Sequence, residues 1–330
     1  MKNLYSVALF LSLAGQPSLS LFAAEVTDLN KDLMESRTQA SRWIPVHFGA
    51  WSAGFLYKGS HSKVFIKQIA FEKTKKGEKA YLDEKLLNLI KIEKQRSAHP
   101  ELKVAALLDS YYVMQKERSQ ALDCLYLHSE YMPGLPYFKD GRKEEWARIF
   151  DNKYKVFARL VPLVNTLAFI HDTCNVAHED IKMSSILVSE DGSDWKLTSF
   201  GFPAVRNREG SHIDNSHVAP EGRTGGLQDE TLTIDQKKKA DVYSMAILIG
   251  TLLLDEDDPR LSAWKSRSRN YGEVCLRHVR PFNEHDEIKG VPPKLLRGII
   301  KCWSANPDER MTAREFFEFL SPFEKKWPLG

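Results

Sequence analysis

The stretch Val176–Val205, VAHEDIKMSSILVSEDGSDWKLTSFGFPAV, decides how this chain is read. It is the centre of an irregular region, residues 174–221, crowded with polar and conformationally special residues. It sets the carboxylate of Asp180 two residues before the cation of Lys182 and ends near Thr198-Ser199-Phe200-Gly201. Long apolar patterns flank the region. Trp146–Ile170 is amphipathic with a helical period, and Ala240–Leu254 is apolar almost throughout, as a central buried helix would be.

Working outward, the N-terminal half has a different period. From Pro45 to Ala70 the pattern is β-like, punctuated by Gly49, Gly54 and Gly59, with Lys63-Val-Phe-Ile-Lys-Gln-Ile69 as its clearest strand. Residues 77–93 then repeat Tyr81, Leu82, Leu86, Leu89 and Ile90 at helical spacing. Val104–Val113 and Cys124–Met132 are two more strand candidates, the second closed by Pro133-Gly134. Beyond the central helices, Leu295–Trp303 and Thr312–Leu320 are shorter amphipathic pieces. The expectation is an α+β chain: a small β-rich lobe with one helix, a larger mainly helical lobe, and the chemistry between them.

Composition excludes several classes. Hydrophobic residues at 42% and charged residues at 28% are globular values. Lys plus Arg is 47 against Asp plus Glu at 44, a formal net charge of +3, which gives no reason to expect nucleic acid or an anionic membrane as partner. The N-terminus stands apart. Lys2 precedes the short apolar run Val7–Ala14, which Gly15 and Pro17 break, and Ser18 and Ser20 have the spacing a signal peptidase accepts. Residues 1–20 therefore read as a signal peptide, with Leu21-Phe-Ala-Ala24 as a second cleavage region, and residues 21–44 as a polar surface extension. No later run is long and apolar enough to span a bilayer. Cys124, Cys174, Cys275 and Cys302 are widely spaced with no CxxC, so buried thiols are expected rather than a zinc site. There is no Asn-x-Ser/Thr sequon.

The quoted stretch resembles the catalytic loop and metal-binding segment of protein kinases, HRDxKxxN followed by DFG. Further markers fall in the family's order. Val64-Phe-Ile-Lys67 resembles the VAIK strand, and Tyr81-Leu-Asp-Glu84 the helix whose acid pairs with that lysine. Leu127-His-Ser129-Glu130-Tyr-Met132 resembles the hinge, with Ser129 at the gatekeeper position. Ala219-Pro-Glu221 is an intact APE, Asp241-Val-Tyr-Ser244 resembles DVWS, and Lys301-Cys-Trp303 through Arg310 resembles the closing motif, most like the tyrosine-kinase-like branch. On this resemblance residues 45–133 form an N-lobe and 134–328 a C-lobe. Glu221 and Arg310 are expected to form a buried ion pair, and Asp241 to accept from the catalytic-loop backbone.

The same resemblance marks what is altered. Kinases hold Mg²⁺ with the DFG Asp and the catalytic-loop Asn. Here those positions are Ser199 and Ser185, so Mg²⁺ is not expected. Asp180 and Lys182 remain as the catalytic pair. Glu179 replaces an Arg and would repel an activation-loop phosphate. The nucleotide positions are Gly49, Gly54, Leu56, Phe65, Lys67, Glu84, Glu130, Met132 and Leu187. ATP is the implied cofactor, but Trp51 stands where the middle glycine of the phosphate loop belongs. Phe65 replaces a small Ala against the adenine face. Either Phe65 fills the slot between Leu56 and Leu187, or it shifts into space left by Ser129. The functional expectation is a secreted pseudokinase binding a protein partner, another kinase or a host protein. The alternative is an atypical active Ser/Thr kinase or other ATP-dependent transferase.

Overall fold

The computed structural model describes residues 35–48, 52–59, 63–71, 78–113, 123–132, 152–189, 191–200, 217–224, 232–254, 258–260, 282 and 285–326. The expected signal peptide, Gly49, Trp51 and Cys275 lie outside them. The described residues fall into two compact units, those within 1–93 and 105–131 and those within 94–104 and 132–330.

The first unit is an antiparallel sheet of β1 (Ile44–Phe48), β2 (Ser52–Lys58), β3 (Lys63–Phe71), β4 (Leu107–Val113) and β5 (Asp123–Glu130), in the order β1-β2-β3-β5-β4. Alternation along β3 assigns its faces. Val64 and Ile66 are wholly buried with Tyr57 on one face, and Phe65, Lys67, Ile69 and Phe71 point to the other. Helix α1 (Glu78–Ala98) is fastened to β4 at two places: Tyr112 donates to Asp83 at 2.8 Å, and the Leu107 N–H to Glu93 at 2.9 Å. The strand expected from Val104 starts instead at Leu107. Val104 makes an isolated bridge to Leu197, and the register slips between Leu107 and Asp109.

The described part of the expected surface extension is docked rather than loose. Residues 35–38 form a helical turn and Ala40–Arg42 a 3₁₀ turn. Ser36 is fully buried, and Trp43 stacks obliquely on Phe55 and Tyr126, with centroids 5.3 and 5.4 Å away.

The second unit is mainly helical. Helix α2 (Lys153–Phe169) opens on Asn152, whose side chain accepts from the N–H groups of Tyr154 and Lys155. It buries Val156, Phe157, Leu160, Val164 and Leu167. A tight hairpin, β6 (Ile186–Val188) with β7 (Trp195–Leu197), follows the catalytic-loop residues. Short α3 (Pro220–Thr224) precedes α4 (Ile234–Leu253). The latter begins six residues before the apolar run because Thr233 and Gln236 close a reciprocal cap. Then come α5 (Pro293–Lys301) and α6 (Ala313–Lys326). Gly298 permits the close approach of α5 and α6: a Cβ there would meet the Phe319 ring at 2.0 Å. Among the described residues no helix is long and apolar enough to cross a membrane.

Candidate functional site

The helical unit gathers the catalytic-loop residues around one carboxylate. Asp241, on α4, accepts from the N–H of His178 at 2.6 Å and of Glu179 at 2.8 Å, and its Oδ2 lies 2.9 Å from His171 Nε2. All four residues are buried. Such an arrangement fixes the loop backbone independently of any ligand. It also holds Glu179 at φ 67, in the left-handed region that non-glycine residues adopt only when their surroundings enforce it. The Phe200 ring closes over His178, centroids 4.3 Å apart. Burial holds the His178 imidazole below its ordinary value, so it stays neutral.

On this platform Asp180 and Lys182 face one another. Lys182 Nζ stands 2.9 Å from Asp180 Oδ1 and 2.7 Å from Oδ2, and both side chains are partly exposed. The carboxylate and ammonium thus sit as an ion pair at the loop's surface.

Ser185 is turned inward. Its hydroxyl donates to the Lys182 carbonyl at 2.7 Å and accepts from the Lys182 N–H at 2.9 Å, while its own N–H reaches that carbonyl at 3.0 Å. The Ser185 carbonyl accepts from Thr198 at 2.9 Å, which ties the loop to the segment entering Ser199. Ser199 has φ 68. Asp and Asn tolerate that conformation better than Ser, and a serine brings no anion to the position. A Mg²⁺ ion needs hard, preferably anionic oxygens. One hydroxyl engaged on both sides by its own loop and a second neutral hydroxyl do not fit it.

Glu179 has a neighbour that motif matching does not reveal. Lys237 Nζ lies 3.5 Å from Glu179 Oε2. Lys237 is four residues before Asp241 on α4, hence on the same helix face, and that spacing is the signal that could have found it. His171 was likewise invisible to the motifs. The two following lysines tie other segments to α4: Lys238 reaches Asn175 Oδ1 at 2.7 Å, and Lys239 donates to the Arg310 carbonyl.

Arg310 anchors the far side of this unit. Its guanidinium meets Glu221 through two parallel bonds of 2.6 and 2.8 Å. It also donates to the carbonyls of Ser304, Lys239 and Ala305 and lies over the Tyr243 ring. Leu187 is buried in β6, and Met132 is buried at the first described position after Tyr131.

In the sheet unit, the register brings some nucleotide candidates together. Leu56, Phe65 and Ser129 are direct cross-strand neighbours on β2, β3 and β5, as are Gly54, Lys67 and Leu127 one pair along. Leu56 is buried and Phe65 half-buried. The Glu130 N–H donates to the Ala106 carbonyl at 3.1 Å. Glu84 is not brought to Lys67. The buried positions of α1 are Leu82, Lys85, Ile92 and Glu93, whereas Glu84 falls on the exposed face with Leu87, Lys91 and Lys94. No ion pair joins Lys67 to Glu84 among the described residues. Helical phase explains this: one residue is a 100° turn, and the inward position here is Lys85.

Comparison with known proteins agrees with these motifs. The protein kinase domain family matches residues 49–319. The chain is 26% identical over 149 residues to the dual specificity protein kinase shkE of Dictyostelium discoideum, covering 44% of this chain and 20% of that one. It is 30% identical over 165 residues to the serine/threonine-protein kinase mos of Gallus gallus, covering 48% and 44%. A third relative is the receptor-type guanylate cyclase gcy-5 of Caenorhabditis elegans, 28% identical over 180 residues, covering 50% and 15%. The chain spans less than half the length of each of these relatives. The family match nevertheless takes in well over half of this chain, including the Asp241 and Arg310 anchors, and the chain belongs to the protein kinase domain family.

Proposed function

We propose that this protein is a secreted pseudokinase of the tyrosine-kinase-like branch, acting as a binding, scaffolding or allosteric module for a protein partner. Residues 1–20 would be its signal peptide, 21–44 an extension, and 45–133 and 134–328 its two lobes. The observation that carries the reading is Ser185, whose hydroxyl is spent on both sides by Lys182. Phosphoryl transfer depends on metal-neutralised phosphates, and neither Ser185 nor Ser199 supplies an anionic ligand for that metal. The backbone anchors around Asp241 and Arg310 support a retained scaffold without requiring turnover. Among the relatives, one is named a guanylate cyclase rather than a kinase, so sequence similarity of this kind does not by itself bring protein phosphorylation. Phe65, in register between Leu56 and Ser129, adds bulk on the face where the resemblance implies adenine.

A second reading has its own support. Asp180 and Lys182 keep the family's proton acceptor and its neighbouring cation, paired at 2.7 Å, as an atypical Ser/Thr kinase with altered metal ligation would need. Thermal-shift titration of the full chain with ATP, with and without Mg²⁺ or Mn²⁺, separates the two. No metal-dependent shift is expected. A shift that requires metal, together with phosphotransfer abolished by Asp180→Ala, would replace the pseudokinase reading with the second one.

A further inference from the structure

Residues 35–43 lie on the sheet face that carries Phe55, Tyr57, Tyr111, Tyr126 and His128, and side chains rather than strand pairing hold them there. Arg37 grips Asp109 through Nε at 2.6 Å and through Nη2, with its guanidinium over the Tyr111 ring at 5.2 Å. Arg42 lies over the Tyr57 ring, the Tyr57 hydroxyl donates to Glu35 at 3.1 Å, and Trp43 Nε1 donates to the Ser36 carbonyl at 2.9 Å. At the centre is His128, buried in β5. Its Nδ1 is 3.1 Å from Ser36 Oγ, its ring is edge-on to Tyr111, and its Nε2 is buried with no hydrogen-bond partner among the described residues.

We propose that residues 35–43 are an acid-released strap: protonation of His128 frees them from the sheet and bares the aromatic face beneath. The reason is a count of donors. A neutral imidazole can use one nitrogen with Ser36 and leave the other idle, whereas an imidazolium must donate from both. Its Nε2–H would be buried with no acceptor, a costly state. The charged and titratable groups around the ring offer no remedy. Asp109 and Tyr111 face it from β4, Tyr126 and Glu130 flank it on β5, Ile66 is its partner on β3, and the strap contributes Glu35, Arg37 and Arg42. Asp109 is already taken by Arg37 and by the Ser110 N–H at 2.8 Å, and Arg37 is itself a cation beside the ring. Departure of the strap takes away the Ser36 contact at Nδ1 and with it part of the cover over the ring. The β ladder, which begins at Ile44, stays whole.

Burial first, then the nearby Arg37, hold the His128 imidazole at about 4 against an ordinary 6.5, while Asp109 pulls the other way. Linkage between those values weakens strap docking about 30-fold from pH 7.5 to pH 5. The strap does not depend on whether the chain transfers phosphate.

Hydrogen exchange by mass spectrometry on the full chain, corrected for intrinsic rates, tests this. The reporters are the N–H groups of Gln39, Arg42 and Trp43, which bond to Glu35, Gln39 and Ala40 within turns too short to persist undocked. Their protection should fall about 30-fold between pH 7.5 and 5 while β3 and α2 keep theirs, and His128→Phe should abolish the change. Unchanged protection in the wild type, or an equal fall in His128→Phe, overturns the proposal. An imidazole titration of the wild type by NMR serves if that variant does not fold. Protonation of His128 with residues 35–43 still protected would overturn it equally.

Discussion

Arg310 in the helical unit and His128 in the sheet unit are both buried, yet their surroundings differ in one respect. Each of the five N–H groups of Arg310 has an acceptor: two carboxylate oxygens of Glu221 and the carbonyls of Ser304, Lys239 and Ala305. His128 has Ser36 at one nitrogen and, among the described residues, no hydrogen-bond partner at the other. A fully matched buried network holds one geometry under most conditions, while a half-matched one ties geometry to protonation. The Arg310 anchor is of the first kind. The attachment of the N-terminal strap is of the second.

The largest effect should come from breaking the matched network. Arg310→Ala strands the Glu221 carboxylate, half of a desolvated pair, and is expected to cost about 3–5 kcal/mol of the helical unit's stability. The double variant Arg310→Met, Glu221→Leu should cost much less, since no charge is left alone. Denaturant unfolding of both variants checks the pair. Equal losses would mean that the lost contacts, rather than the stranded charge, dominate.

Next is the pH dependence of strap docking on the sheet unit. Because the folded imidazole of His128 is depressed, its contribution to stability is fully present above about pH 6.5. It is lost as pH falls toward about 4, below which both folded and unfolded states bind the proton. The loss should reach about 3 kcal/mol of strap docking across that window, read as the pH profile of exchange at Gln39 and Arg42, with His128→Phe giving a flatter profile.

The same contrast governs how much was legible in sequence. The Asp241 and Arg310 anchors were readable because they sit inside spaced motifs, where each residue's role follows from its neighbours. The Lys67–Glu84 pairing was expected on the same ground and is not formed, because a motif gives sequence position but not helical phase, and the phase of α1 turns Lys85 inward. The strap was not readable at all. Apart from Ala40 and Trp43 its residues are polar and read as solvated, and its partners lie 72 residues away for Arg37 with Asp109 and 92 for Ser36 with His128, so no local period records them.

Trp43 is the hydrophobic half of the strap. Trp43→Ala removes its two ring contacts and the indole bond to the Ser36 carbonyl, and for a half-buried side chain the expected cost to strap docking is about 2 kcal/mol. Exchange at Gln39 and Arg42 should rise accordingly at pH 7.5, with β3 unaffected.

The smallest change is the most discriminating. Arg37→Lys keeps the positive charge beside His128 and Asp109 but removes the paired donors and the flat cation over Tyr111. If charge alone pins the strap, the substitution should be silent. If the fork geometry matters, docking should weaken by about 1 kcal/mol at pH 7.5, since a lysine can occupy only one carboxylate oxygen at a time. The pH dependence is then the sharper readout. A lysine that leaves one Asp109 oxygen open gives the protonated ring a carboxylate to face, so strap release in Arg37→Lys should need a lower pH than in the wild type, even though the strap is held less tightly. A weaker strap with an unchanged pH midpoint would show that Asp109 is not what His128 lacks, and that burial alone sets the switch.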